Sequence, residues 1–158
     1  MKVLLLAAVL SGFNITGAHI VDYGIYDTIR IEEQTSPNTT EGTIHVLHPR
    51  LDPVLRKETR RVEARIGTQF GFRFQIDGKP RLAEVPVKIR VLHPPITNPE
   101  TDKTSTTEEW DAAVNLGIPR FTGWAFDQQY ETAAGTWTLQ VLRDDKVMLQ
   151  KEFVVVSP

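Results

Sequence analysis

Gly135-Thr136-Trp137-Thr138-Leu139-Gln140-Val141, then Arg143-Asp144-Asp145-Lys146, then Val147-Met148-Leu149 running to Phe153-Val154-Val155-Val156, is the stretch that decides the fold. Two runs rich in β-branched and aromatic residues, joined by a short acidic turn, predict an antiparallel hairpin. Trp137, Leu139 and Val141 share one face of the first run, which places Trp137 in a core. In the second run Lys151 has the parity of Leu149 and Phe153, so it must snorkel or mark a bulge.

Working back from that hairpin, Phe121-Thr122-Gly123-Trp124-Ala125-Phe126 reads as another strand. Phe70, Phe72 and Phe74 line one face of a strand that meets the turn signal Asp77-Gly78-Lys79-Pro80. Val85, Val87, Ile89 and Val91 alternate after it and stop at His93-Pro94-Pro95. Asp-Gly between alternating runs predicts a hairpin. Two strands in opposed sheets, joined by a sandwich crossover, would give the same pattern. Near the start, Ile20 to Gln34 predicts a first strand with a bulge near Gly24, and Thr43 to Leu47 a short one. Arg50 to Arg65 is compatible with a helix through Leu55, Val62 and Ile66, or with a strand through Val62, Ala64 and Ile66; the strand is favoured in its second half. Residues 94 to 118 predict a long irregular loop, with Ser105 and Glu108 spaced to cap a short helix carrying Trp110. About seven or eight short antiparallel strands predict an all-β, immunoglobulin-like two-sheet sandwich in a single domain.

The amino terminus reads as a secretory leader: Lys2, an apolar core from Val3 to Leu10, and small residues at Thr16-Gly17-Ala18. The expected cut follows Ala18, giving a leader over 1–18 and a domain over 19–158. The apolar core is shorter than the roughly 20 residues that span a bilayer, so no membrane span is expected after processing. The chain has no cysteine. An exported domain without disulfides must rely on its core, and about 140 residues suffice to bury roughly two-thirds of the unfolded surface. The expected location is therefore periplasmic or secreted. Removing Lys2 takes the formal net charge from −2 to −3, which argues against affinity for nucleic acid.

These residues also carry a resemblance. Val21-Asp22-Tyr23-Gly24-Ile25-Tyr26, Gly67-Thr68-Gln69-Phe70-Gly71, His93-Pro94-Pro95-Ile96-Thr97-Asn98-Pro99-Glu100-Thr101, Phe121 to Phe126, and the ending from Gly135 through Val155 together resemble the bacterial family known as domain of unknown function 3859. The likeness covers essentially the whole chain after the leader. It implies a secreted β-domain with no assigned activity and no catalytic residues.

Motifs that carry chemistry are scarce. No serine occupies a Gly-x-Ser-x-Gly elbow, and no phosphate-binding loop or zinc-peptidase motif occurs. Adjacent carboxylates such as Glu32-Glu33 and Asp144-Asp145 point to opposite faces of a strand, so they form no acid–base pair. The expectation is a non-catalytic binding module without a cofactor, whose partner is another envelope protein or a glycan. Its working surface is expected on the loop from Pro94 to Pro119, with Trp110 as exposed anchor, and on the basic run with Arg56, Arg60 and Arg61. That run would dock an acidic partner or a phosphate-bearing glycan; an edge strand protected by charge against aggregation is the competing reading. The alternative function is copper binding. His19, once amino-terminal, would chelate Cu(II) through amine and imidazole, with His45 and His48 as further ligands.

Overall fold

The computed structural model describes residues 12–27 and 53–158. Among them lie nine strands: β1 (Asn14–Tyr26), β2 (Leu55–Lys57), β3 (Arg61–Glu63), β4 (Gln69–Lys79), β5 (Glu84–Asn98), β6 (Lys103–Asn115), β7 (Arg120–Ala125), β8 (Gly135–Arg143) and β9 (Lys146–Val156), with one 3₁₀ turn at Gln129–Glu131. They form a four-stranded sheet in the order β2-β1-β4-β7 and a five-stranded sheet in the order β3-β9-β8-β5-β6. Phe70, Phe72, Phe74 and Ile76 from β4 and Val85, Val87, Ile89 and Val91 from β5 are buried in one core, as their period-2 pattern requires. The domain is an immunoglobulin-like β-sandwich.

The closing hairpin forms as expected, with Trp137 opposite Phe153 and Val141 opposite Leu149. Its turn places Asp144 at φ 49° and Asp145 at φ 61°, the paired positive values of a type I′ turn. Lys151 lies opposite Leu139 and carries its ammonium 3.6 Å from the centre of the Tyr23 ring. It snorkels, and a cation–π contact compensates its inward parity.

The Asp77-Gly78 hairpin does not form. Both residues remain in β4, opposite Gly17 and Ile15 of β1, and the chain then crosses to the other sheet. A Cβ on Gly78 would stand 2.2 Å from the Asn14 carbonyl oxygen, so this glycine serves close approach to β1 rather than a turn. Leu82, at φ 69°, makes the bend instead. It exchanges chain contacts with the end of β6, Leu82 N–H donating to Leu116 O at 3.0 Å.

The expected loop over 94–118 is instead a long hairpin of β5 and β6, turning at Asp102 (φ 55°). The capped helix is absent; Ser105 Oγ donates to Glu108 Oε1 at 2.8 Å along β6. The two prolines fall where the β5–β6 register shifts between Leu92 and Ile96, and a bulge tolerates a residue with no N–H. β6 reads as loop because it is an edge strand, rich in Thr and Glu facing solvent.

The basic run divides between the sheets. β2 pairs with β1, whereas β3 runs parallel to β9 with Val62 opposite Val155. The strand reading of Val62, Ala64 and Ile66 holds for Val62 and Ala64, both buried; Ile66 is exposed. The first strand starts earlier than expected, at Asn14, and its shifts against β4 lie at Ile15/Gly17 and Ile20/Asp22. The expected strand over Thr43–Leu47 lies outside the described residues.

One polar cluster ties β1 to β4. Arg73 Nε lies 3.0 Å from both Asp22 oxygens, Arg73 Nη2 also pairs with Asp22, and Tyr26 donates to Asp22 Oδ1 at 2.6 Å. The Arg73 hydrogen bond holds the Asp22 carboxyl below the usual carboxylate range, against the opposing effect of burial. The folded chain thus takes up this proton less readily than the unfolded chain. The stabilisation is complete above pH about 4 and is lost as pH falls further. Arg73→Gln should remove about 1 kcal/mol of stability at neutral pH and flatten the acid limb. Denaturant titrations at pH 7 and pH 3 check this; an unchanged acid limb would contradict it.

Candidate functional site

His93 continues the inward parity of Val87, Ile89 and Val91 on β5 and lies against the indoles of Trp137 (centroids 5.0 Å apart) and Trp124 (6.3 Å). Its Nδ1 lies 2.7 Å from Pro94 O. A carbonyl only accepts, so Nδ1 carries the proton and donates, and in the neutral ring Nε2 is a bare acceptor. Nε2 faces Glu108 Oε1 at 3.6 Å, beyond hydrogen-bond distance. It is buried with no partner, and so is the Trp124 Nε1–H from β7.

Both atoms belong to residues lining a cleft of about 200 Å³, together with Ile96, Asn98, Lys103, Ser105, Glu108, Tyr130 and Glu131. Each wall is held from behind. Ser105 fixes the Glu108 carboxylate, Asn98 Oδ1 accepts from Glu100 N–H at 2.9 Å, and Glu131 Oε2 accepts from the N–H groups of Asp127 and Gln128 at 3.1 Å each. The last pair anchors the 3₁₀ turn that presents Tyr130, which is 36% exposed. The cleft is therefore lined by fixed acceptors, a lysine and an aromatic rim, and its lining residue Trp124 carries a buried, unpaired indole N–H.

The residues singled out from sequence lie elsewhere. Trp110 is on β6 rather than on a loop, opposite Ile89 and 38% exposed. Arg61 is on β3, at the far edge of the same five-stranded sheet, so Trp110 and Arg61 do not lie side by side. Arg56 pairs with Asp27, and Arg60 Nε donates to Glu152 O at 3.1 Å, with Nη2 3.6 Å from its carboxylate. Replacing Trp110 with Ala should lower the melting temperature far less than replacing a fully buried tryptophan; parallel thermal melts with a Trp137 variant check this.

His19 sits mid-strand in β1, opposite Gln75, with Nδ1 3.3 Å from Asp77 Oδ2. His45 and His48 lie outside the described residues. No group of three potential metal-ligating His, Cys, Asp or Glu side chains occurs among the described residues. His93, Glu108 and Trp124 are not among the site residues that the sequence singles out. The Pro-Pro after His93 and the Ser105-x-x-Glu108 spacing were the available signals, read there as a strand end and a helix cap.

The family model described as Domain of unknown function (DUF3859) matches residues 16–155. The chain belongs to that family. Family membership fits the sandwich and assigns no chemistry to the cleft. A search of curated proteins finds no match. Among solved structures, the fold is similar to an immunoglobulin-like protein from Pseudomonas aeruginosa, with a TM-score of 0.65 and 22% identity over 94% of this chain and 99% of that one. At that identity the likeness concerns the fold alone. No helix among the described residues is long and apolar enough to cross a membrane.

Proposed function

We propose that this family member is an exported, non-catalytic binding module of the bacterial envelope, and that the cleft between His93 and Trp124 is its ligand site. The observation that carries this reading is the pair of buried, unpartnered polar atoms, His93 Nε2 and Trp124 Nε1, on residues lining one cleft. Each unmade hydrogen bond costs about 1–3 kcal/mol, a cost that a bound partner removes. A volume of about 200 Å³ is below the ~300–1,000 Å³ of whole-ligand pockets, so the cleft grips one ring-sized group of a larger partner.

The order of groups supports binding over catalysis. Ser105 donates to the Glu108 carboxylate rather than to an imidazole, so the serine–imidazole pair of an activated serine nucleophile is not formed at this cleft. Export rests on the leader pattern at the amino terminus, Lys2 followed by the apolar run Val3 to Leu10. Asn14 to Ala18 pairs with β4, and Ile15 and Ala18 pack on the core. A cut before Asn14 would leave β1 whole, whereas a cut after Ala18 would remove its first five residues.

Two experiments test the reading. Peptide mass spectrometry of the protein from periplasmic and culture-medium fractions should find a processed amino terminus; Met1 retained in a cytoplasmic pool would contradict export. Native mass spectrometry of gently purified protein should reveal an adduct that Trp124→Phe loses. An identical adduct pattern in both proteins would remove the cleft from the account.

A further inference from the structure

We infer that the group seated in the cleft is a saccharide residue; this rests on the reading of the cleft as the ligand site. Donors and acceptors decide the ligand class. His93 Nε2 and Glu108 Oε1 face each other at 3.6 Å, an ion pair with the imidazole protonated and two facing acceptors with it neutral. With the ring neutral, two acceptors so placed are both met by a donor seated between them. The Trp124 Nε1–H, also buried and unpartnered, requires an acceptor. A hydroxyl group is both, and neighbouring hydroxyls on one ring meet both demands with one rigid body.

Competing ligand chemistries meet only half of these demands. A phosphate or sulfate supplies acceptors for Trp124 but sets negative charge against Glu108 and Glu131, with Lys103 alone to offset it. An ammonium group supplies donors to Glu108 and His93 and leaves the indole unmet. An apolar ring leaves all three unmet. The remaining lining suits a sugar as well: Asn98 and Ser105 are polar, while Trp124 and Tyr130 offer aromatic surface to the C–H groups of a pyranose ring. The cleft volume, about 200 Å³, admits one such ring, which makes it a site for a chain terminus or a single projecting residue of an envelope glycan.

The test uses the full processed protein labelled with ¹⁵N, with the Trp124 indole N–H resonance assigned through Trp124→Phe. The probes are glucose, galactose, mannose and N-acetylglucosamine, with inorganic phosphate and glycine alongside. At least one sugar should shift the indole resonance saturably. Glu108→Gln, which retains shape but removes the carboxylate acceptor, should weaken that sugar roughly tenfold or more while leaving the melting temperature near that of wild type, because this side chain is 42% exposed. A shift with phosphate or glycine and with no sugar would overturn the saccharide assignment and leave the ligand site standing. Silence from every probe would overturn the saccharide assignment, and silence also toward solubilised envelope extract would bring down the site itself.

Discussion

Replacing Trp137 with alanine is expected to cost about 3–5 kcal/mol, the largest loss available from a single side chain in this domain. The indole is fully buried. It meets Phe70 and Phe126 edge-on at 5.8 and 5.5 Å, stacks near His93, and donates its N–H to Ala133 O at 2.9 Å. Alanine would open a cavity between the sheets, orphan the Ala133 carbonyl and release the ring that backs His93. A typical domain is stable by about 5–15 kcal/mol, so much of the protein would be unfolded at moderate temperature. Trp137→Phe keeps an aromatic ring and should lose less. Urea denaturation of the two variants measures both effects. A loss under about 1.5 kcal/mol for the alanine variant would mean that the two sheets do not pack around this residue.

Gly71→Ala is expected to be nearly as damaging, by a different route. Gly71 of β4 lies opposite Gly123 of β7. A Cβ at position 71 would stand 2.1 Å from Thr122 O and 2.6 Å from Gly123 Cα. Both obstacles are backbone, so relief requires β7 to move off the sheet. Overpacking costs about 1–3 kcal/mol, and lost ladder hydrogen bonds add to it. Because β7 carries Trp124, the same substitution should also disturb the cleft. Denaturant titration combined with the Trp124 indole resonance checks both. A stable variant with an unmoved indole signal would show that the β4–β7 contact is looser than described.

Much of the fold is legible in the residues because it follows from alternation. Phe70-Phe72-Phe74, Val85 to Val91, and Trp137-Leu139-Val141 each present one apolar face, and a period of two can bury only that face. The Asp-Asp turn between Arg143 and Lys146 likewise had one economical solution. Failures came where one residue type serves two physical ends. Gly78 is read as a turn residue, but it lets β1 approach β4. Pro94 and Pro95 are read as a strand end, but a bulge absorbs them. β6 is read as a loop because half of an edge strand's environment is water. The cleft was illegible for a related reason. His93 and Glu108 meet through the β5–β6 hairpin, and only the sandwich closure brings Trp124 of β7 beside them. Trp110 and the arginines stood out in the sequence by residue type, yet the sheet order places Trp110 and Arg61 at opposite edges.

On the proposed function, the His93–Trp124 cleft holds a ligand from the envelope. A ligand that binds only the folded state raises the melting temperature by mass action. The most direct test is therefore the thermal midpoint of the wild-type protein and of Trp124→Phe, each with and without solubilised envelope extract. A clear upward shift is expected for the wild type, and Trp124→Phe should lose it. An equal shift in both proteins, or none in either, would contradict the proposed function.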